Sequence, residues 1–272
     1  MLTARVVLID RTKKVSFEQL SAVAAALNLQ VQRDLAPIWQ ISAAVTASPN
    51  STHVSLGTWP IFIVDNLPPD EGGVHLTRHH QPYALVELGA GWTIAASHEC
   101  LEMLVDPSGS RLHASNAVGV VDGRVQDVPG KFEYLVEVCD PSESDAFAYA
   151  IDDVTVSDFY TPRYFDPVGM PNARYSFTGA IKKPRDVLNG GYLSWLNPET
   201  NTLQQLKNFG SPEIVDLGEA TGACLRQFVD GKSRTTVGLS KLTGKNQRLS
   251  MTTLRGTLLD HAAAAKAKAY ER

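Results

Sequence analysis

The chain has 272 residues, of which 43% are hydrophobic and 20% charged, and its net charge is −4. Such a composition at this length buries a sizeable core, which excludes a disordered chain, a collagen-like chain and a coiled-coil rod. No run of about 18 uncharged apolar residues occurs, so no membrane-spanning helix is expected.

The first residues, MLTARVVLIDRTKK, lack the apolar core and cleavage site of a signal peptide. Three cysteines, Cys100, Cys139 and Cys224, are too few for a disulfide framework and form no CxxC pair. A cytoplasmic, reducing setting is the expectation. The charge is uneven. Residues 232–272 hold nine Lys/Arg and two Asp/Glu, a net of +7. The remaining sixteen Lys/Arg and twenty-seven Asp/Glu give residues 1–231 a net of −11. An acidic body of this kind is a poor surface for nucleic acid. The basic tail is suited to an acidic protein partner or to the chain's own acidic body.

Ala4 to Asp10 is short and β-branched, and reads as a strand. Ser16 before FEQ is an N-cap signal. From Phe17 the residues Leu20, Val23, Ala24, Leu27, Val31 and Leu35 recur mostly at spacings of 3 and 4, which predicts a long amphipathic helix ending near Pro37. Ile41–Ala47 and Trp59–Val64 read as strands. Asn66–Gln81 carries two prolines, two glycines and three histidines and reads as a loop. Tyr83–Leu88 is a fourth strand, and Gly89-Ala90-Gly91 makes a turn. Trp92–Val105 is a second helix, stopped by Asp106-Pro107. Beyond Pro107 the chain reads as loop-rich, with short pieces at Phe132–Val138 and Tyr149–Val156. A closing helix over Met251–Ala269 is expected within the basic tail.

The chemistry-bearing string is His98-Glu99-Cys100-Leu101-Glu102, inside the second helix. His98 and Glu102 are i and i+4, share one face, and can clamp one divalent metal. Glu99 lies about 100° round the helix, placed to reach a water rather than to ligate. This is the arrangement of the HExxH metalloprotease helix, with Glu102 where the second histidine stands. Downstream, Glu137 and Asp140 form a second acid pair at i and i+3. Gly89-Ala90-Gly91 is not a dinucleotide fingerprint, because Ile94 stands where the third glycine belongs.

The order strand, long helix, strands, edge strand, HExxE helix resembles the N-terminal subdomain of the zincin metallopeptidases over roughly residues 1–165. The strings SHECLEMLVDP, VEVCDP and VSDFYTPRYF also resemble a group of bacterial and phage-associated proteins. The zincin resemblance implies an α/β (α+β) fold, in which the edge strand, here Tyr83–Leu88, holds a peptide substrate by strand addition. The gluzincin branch implies Glu137 as third metal ligand and Asp140 as a buttress. Asp140 and Asp106 are alternatives for the third ligand, and Asp106 otherwise supports the end of the helix. The implied cofactor is one divalent metal, zinc first, with manganese, iron or calcium admitted by the carboxylate-rich donors. Glu99 would be the general base, and Tyr160 or Tyr164 an oxyanion donor. The implied organisation is a subdomain over 1–106 carrying the helix, an irregular subdomain over 107–230 completing the cleft, and the tail from 231. The implied function is hydrolysis of a peptide or protein substrate. The rival is a non-enzymatic module of the same fold, holding a structural cation and a protein partner.

Overall fold

A parallel sheet with one reversed edge strand and a wholly antiparallel sheet make up this α+β protein. The computed structural model describes residues 4–49, 54–68, 72–220 and 224–232. The expected helix over Met251–Ala269 and the basic tail beyond residue 232 lie outside the described residues. Among the described residues no helix is long and apolar enough to cross a membrane.

The first sheet has the order β2-β1-β3-β5-β4, from β1 (Ala4–Asp10), β2 (Ala43–Ser48), β3 (Trp59–Val64), β4 (Gly73–Arg78) and β5 (Gln81–Glu87). β1, β2, β3 and β5 pair in parallel, and β4 runs antiparallel to β5 at the edge. Here the expectations need two corrections. The segment Asn66–Gln81 is not all loop, since it contains β4. The strand at Tyr83–Leu88 is not the edge, because β5 lies between β3 and β4. Gly73 misled the reading because glycine usually marks a turn. In the structure a Cβ at Gly73 would stand 2.8 Å from the Glu99 side chain, so the glycine makes room for a carboxylate.

α1 (Phe17–Leu29) starts at Ser16, whose hydroxyl accepts from the Gln19 N–H at 3.1 Å. The helical run ends at Trp39, near Pro37 as expected, but not as one regular helix. It widens into a π-type stretch, Gln30–Leu35, and resumes as α2 (Ala36–Trp39), where Pro37 sits in the first turn and needs no intrahelical donor. Buried Gln30 fixes this stretch. Its Nε2 donates to the Ser157 carbonyl at 2.9 Å, and its Oε1 accepts from Ser97 Oγ at 2.8 Å. α3 (Trp92–Val105) has the predicted bounds, and Asp106 follows it.

The region 107–230, expected to be irregular, carries a five-stranded antiparallel sheet of order β12-β11-β10-β7-β6. Its strands are β6 (Leu112–Val121), β7 (Arg124–Leu135), β10 (Gly191–Asn197), β11 (Thr202–Asn208) and β12 (Pro212–Glu219). In strands such as TLQQLKN the buried positions include Gln205 and Lys207, so polar residues interrupt the apolar run that marks a strand. β8 (Tyr149–Ile151) and β9 (Val154–Val156) form a small hairpin. Its turn residues Asp152 and Asp153 both take positive φ, 46° and 64°, as the two-residue hairpin turn requires.

One core joins the two sheets. It runs from Leu8, Leu27 and Ile61 through Cys100 and Leu104 to Tyr134, Tyr160 and Trp195. The close approach that sets the site is at Gly191, the first residue of β10. A Cβ there would lie 2.6 Å from the Asp140 carbonyl oxygen and 2.7 Å from that of Pro141. Both are backbone atoms and cannot swing away. Gly191→Ala is therefore expected to cost about 1–3 kcal/mol of stability, by the overpacking of a tight contact. Chemical denaturation measures it, and a loss below about 0.5 kcal/mol would mean the turn at Asp140 yields freely.

Candidate metal centre

α3 is enclosed on almost every side. From Ala96 to Val105 all its residues are buried, His98, Glu99 and Glu102 among them. Burying charged side chains is costly unless they meet partners, so their surroundings decide what they do. Three segments face them: β4, the stretch from Glu137 to the 3-10 turn Asp140–Ser142, and a short helix α4 over 225–232.

Glu102 is fully buried and lies at the centre. Its Oε1 accepts the Cys139 N–H at 3.1 Å. Its Oε2 lies 3.2 Å from His98 Nε2, 3.6 Å from His75 Nδ1 and 2.8 Å from Arg226 Nη1. His98 Nε2 is also 3.3 Å from Asp140 Oδ1, without the alignment of a hydrogen bond. In the same cluster, Glu99 Oε2 contacts His75 Nδ1 at 3.2 Å, and His75 Nε2 stands 3.7 Å from Glu137 Oε2. Arg226 Nη1 donates to Glu102 and to Glu137, and its Nε donates to Asp230 Oδ1 at 3.0 Å. Two overlapping donor groups result: His98, Glu102 and Cys139, and His75, Glu99 and Glu102, each with donor atoms within 4.8 Å of one another.

The sequence reading brought His98, Glu99, Glu102, Glu137 and Asp140 to one place, and the fold does bring them together. It missed His75, hidden in a glycine- and proline-flanked run. It also missed Arg226, for which no local signal exists. His79 and His80, neighbours of His75 in sequence, are exposed in the turn after β4. Asp106 is not among the central donors. Its Oδ1 accepts from Ser108 Oγ at 2.9 Å and its Oδ2 from the Arg111 N–H at 2.7 Å, so it shapes the loop after α3. Tyr164 is committed elsewhere, its hydroxyl donating to the Asp186 carbonyl at 2.9 Å. Tyr160 differs from it, because its hydroxyl is buried and has no hydrogen-bond partner. The three cysteines are free thiols, and Cys100 lies in the core.

The electrostatics follow from the crowding. Burial would lower the His98 pKa, but Glu102, Cys139 and Asp140 overturn this and hold it well above 6.5. Burial would raise Glu102, yet the charges of His98 and Arg226 hold it well below 4.5. Glu137 and Asp140 go the other way. Burial raises both well above their usual values; Glu102 adds to each, and Arg226 only partly offsets it. Four buried carboxylates, Glu99, Glu102, Glu137 and Asp140, thus face one permanent cation, Arg226. A divalent cation bound there would displace the protons that burial keeps on Glu137 and Asp140.

Unsatisfied atoms point the same way. His75 Nε2, Glu137 Oε1, Asp140 Oδ1 and the Tyr160 hydroxyl are all buried without a hydrogen-bond partner. Such atoms are rare in a folded protein and call for a missing partner. The nitrogen, oxygen and sulfur donors gathered here suit zinc, and the abundance of carboxyl groups also suits manganese or iron. Comparison of the chain with protein-family models, with curated proteins and with solved structures finds no match.

The raised carboxyls give a pH test. A carboxyl with a raised folded pKa keeps a proton that the unfolded chain has lost, so stability falls as pH climbs above the unfolded value, 4.5 for Glu137 and 3.8 for Asp140. His98 adds to the fall above pH 6.5, as its proton leaves on the way up through its raised folded value. Glu102 acts oppositely, its contribution being present above 4.5 and lost as pH falls through its depressed folded value. The thermal midpoint of chelator-treated protein is expected to decline from about pH 5 to pH 8. Glu137→Gln should flatten that decline. Identical pH profiles for the two proteins would mean that Glu137 is not a strained carboxyl.

Proposed function

We propose that this chain is a metal-dependent peptidase of zincin type. The observation that carries the reading is the carboxylate-rich cluster built on α3, where His98, Glu102 and Cys139, and His75, Glu99 and Glu102, bring donor atoms within 4.8 Å of one another, with Glu137 and its unsatisfied Oε1 beside His75. The topology supports it. A parallel sheet with a reversed edge strand leads directly into the HExxE helix, the order that the resemblance implies. The edge strand in that role is β4, not the segment Tyr83–Leu88, and its outer side is free of any sheet neighbour among the described residues. An extended peptide adding to β4 would run alongside α3, which packs against β4 and β5.

His98, Glu102 and Glu137 would hold the metal, with Asp140 beside His98. The metal would supply Lewis-acid polarisation of a substrate carbonyl and neutralise the buried carboxylates. Glu99 takes a proton from the attacking water and returns it to the leaving amine. His75, against Glu99 Oε2, fixes the direction in which that carboxylate faces. Tyr160, with its uncommitted hydroxyl, donates to the developing oxyanion. Zinc is the first candidate metal, with manganese, iron and calcium behind it.

One observation favours the rival, a module that holds a structural cation and a protein partner. Every donor in the cluster is buried, so a substrate carbonyl has no open approach to it. Two variants and two readouts separate the readings. Metal content is measured by elemental analysis after incubation with zinc or manganese, and cleavage by mass spectrometry on a mixed peptide library. For the peptidase, Glu99→Gln should keep its metal and lose about 10²–10⁴-fold in rate. His98→Ala should lose both metal and cleavage. Metal retention without cleavage by the native protein would favour the structural cation. No metal in the native protein would remove both readings.

A further inference from the structure

α4 is held differently from every other element around the cluster. Its backbone is tied to the loop that Asp106 shapes. The Arg226 N–H donates to the Gly109 carbonyl at 2.8 Å, and the Leu225 N–H to Ser110 Oγ at 3.0 Å. Gly109 has φ +63°, and a Cβ there would stand 2.8 Å from Cys224 Sγ and 3.0 Å from Arg226 Cβ. The loop and the segment therefore touch backbone to side chain. The apolar hold is peripheral. Val229 is buried, and Leu225 and Phe228 are partly buried, in a satellite cluster with Leu135, Leu203 and Leu217, outside the core that joins the two sheets. A short element packed on a satellite cluster, away from the main core, is the kind of unit that opens before the rest of the fold.

Beside this peripheral apolar hold stands a polar one that reaches the cluster itself. Arg226 is only 4% exposed, and its guanidinium reaches between Glu102 and Glu137. These are two of the three carboxylate and imidazole ligands in the peptidase reading, on which the present inference rests. A divalent ion bound by the same oxygens would meet the guanidinium at close range. In a medium of low dielectric such like charges repel strongly.

We propose that Arg226 is an internal counter-ion that competes with the metal, and that α4 is a latch released when the metal is seated. In the closed form the guanidinium lies against Glu102 and Glu137, and α4 covers the cluster. In the open form the metal replaces the guanidinium at both carboxylates, and α4 leaves the loop 106–111. This resolves the burial of the donors, since the form that binds metal is also the form in which the cluster is uncovered. The apparent metal affinity is then reduced by the fraction of chain in the closed form.

Amide hydrogen exchange over 224–232 in the native full-length chain, with and without zinc or manganese, tests the latch without any substitution. Metal should speed exchange in 224–232 by about tenfold or more while leaving β10 and β11 unchanged. Calorimetric titration of Arg226→Gln should give metal binding about tenfold tighter or more than in the native chain. Arg226→Lys, which keeps a charge but not the planar fork, should fall between them. Metal binding with exchange in 224–232 unchanged or slowed would overturn the latch and leave the metal site standing. No metal binding by either the native chain or Arg226→Gln would overturn both.

Discussion

Glu102 has no contact with water, and its two oxygens are shared among a backbone N–H, an arginine and two imidazoles. A carboxylate so placed is stable only while those partners stay together, and each comes from a different part of the chain. Removing one partner of a buried charge group leaves the others uncompensated, at a cost of about 3–5 kcal/mol. The Cys139 N–H depends on the turn at Asp140, which depends on Gly191. His75 depends on β4, which exists as a strand beside α3 because Gly73 yields space to Glu99. Both sheets thus serve as walls for one acidic cluster on one helix.

The two walls do different work. The first sheet supplies α3 itself and the edge strand beside it, in a stack held by parallel pairing and the backing helix α1. The antiparallel sheet carries no donor on its strands. Its part is to carry the segment from Glu137 to Asp140 out of β7 and to press on it from β10. The aromatic cluster behind that segment, with Tyr160 stacked on Tyr164 at 4.3 Å and Trp39 donating to the Tyr160 carbonyl, stiffens its far side. The donors are consequently fixed by packing rather than by flexible loops, which suits a site that must hold its geometry.

Much of the site was legible because α3 encodes it locally. His98, Glu99 and Glu102 fall on adjoining faces of one helix by spacing alone, and Glu137 with Asp140 repeats the acid pair. His75 was not legible, since its strand begins at a glycine and ends beside two more histidines. Arg226 was not legible either, lying 124 residues from Glu102 with nothing in its neighbourhood to suggest burial. Tyr160 and Tyr164 looked alike in sequence, and only the position of the Asp186 carbonyl tells them apart. In the fold, strands buried on both faces, such as WPIFIV, were readable. Strands β10, β11 and β12 were not, because β10 and β11 bury polar residues such as Ser194, Gln205 and Lys207 among their apolar ones, and β12 buries only Leu217.

The place of Arg226 in the chain has a consequence for synthesis. A nascent chain presents Glu99, Glu102, Glu137 and Asp140 well before residue 226 leaves the ribosome. Domains form progressively from the N-terminus, so both sheets up to β12 are available before their counter-ion is. Through that interval the cluster is neutralised by protons on its carboxyls or by a cation from solution. The partner available first is a proton or a solute cation, and the arginine arrives second. The order of translation itself thus gives solute cations the earliest access to this site.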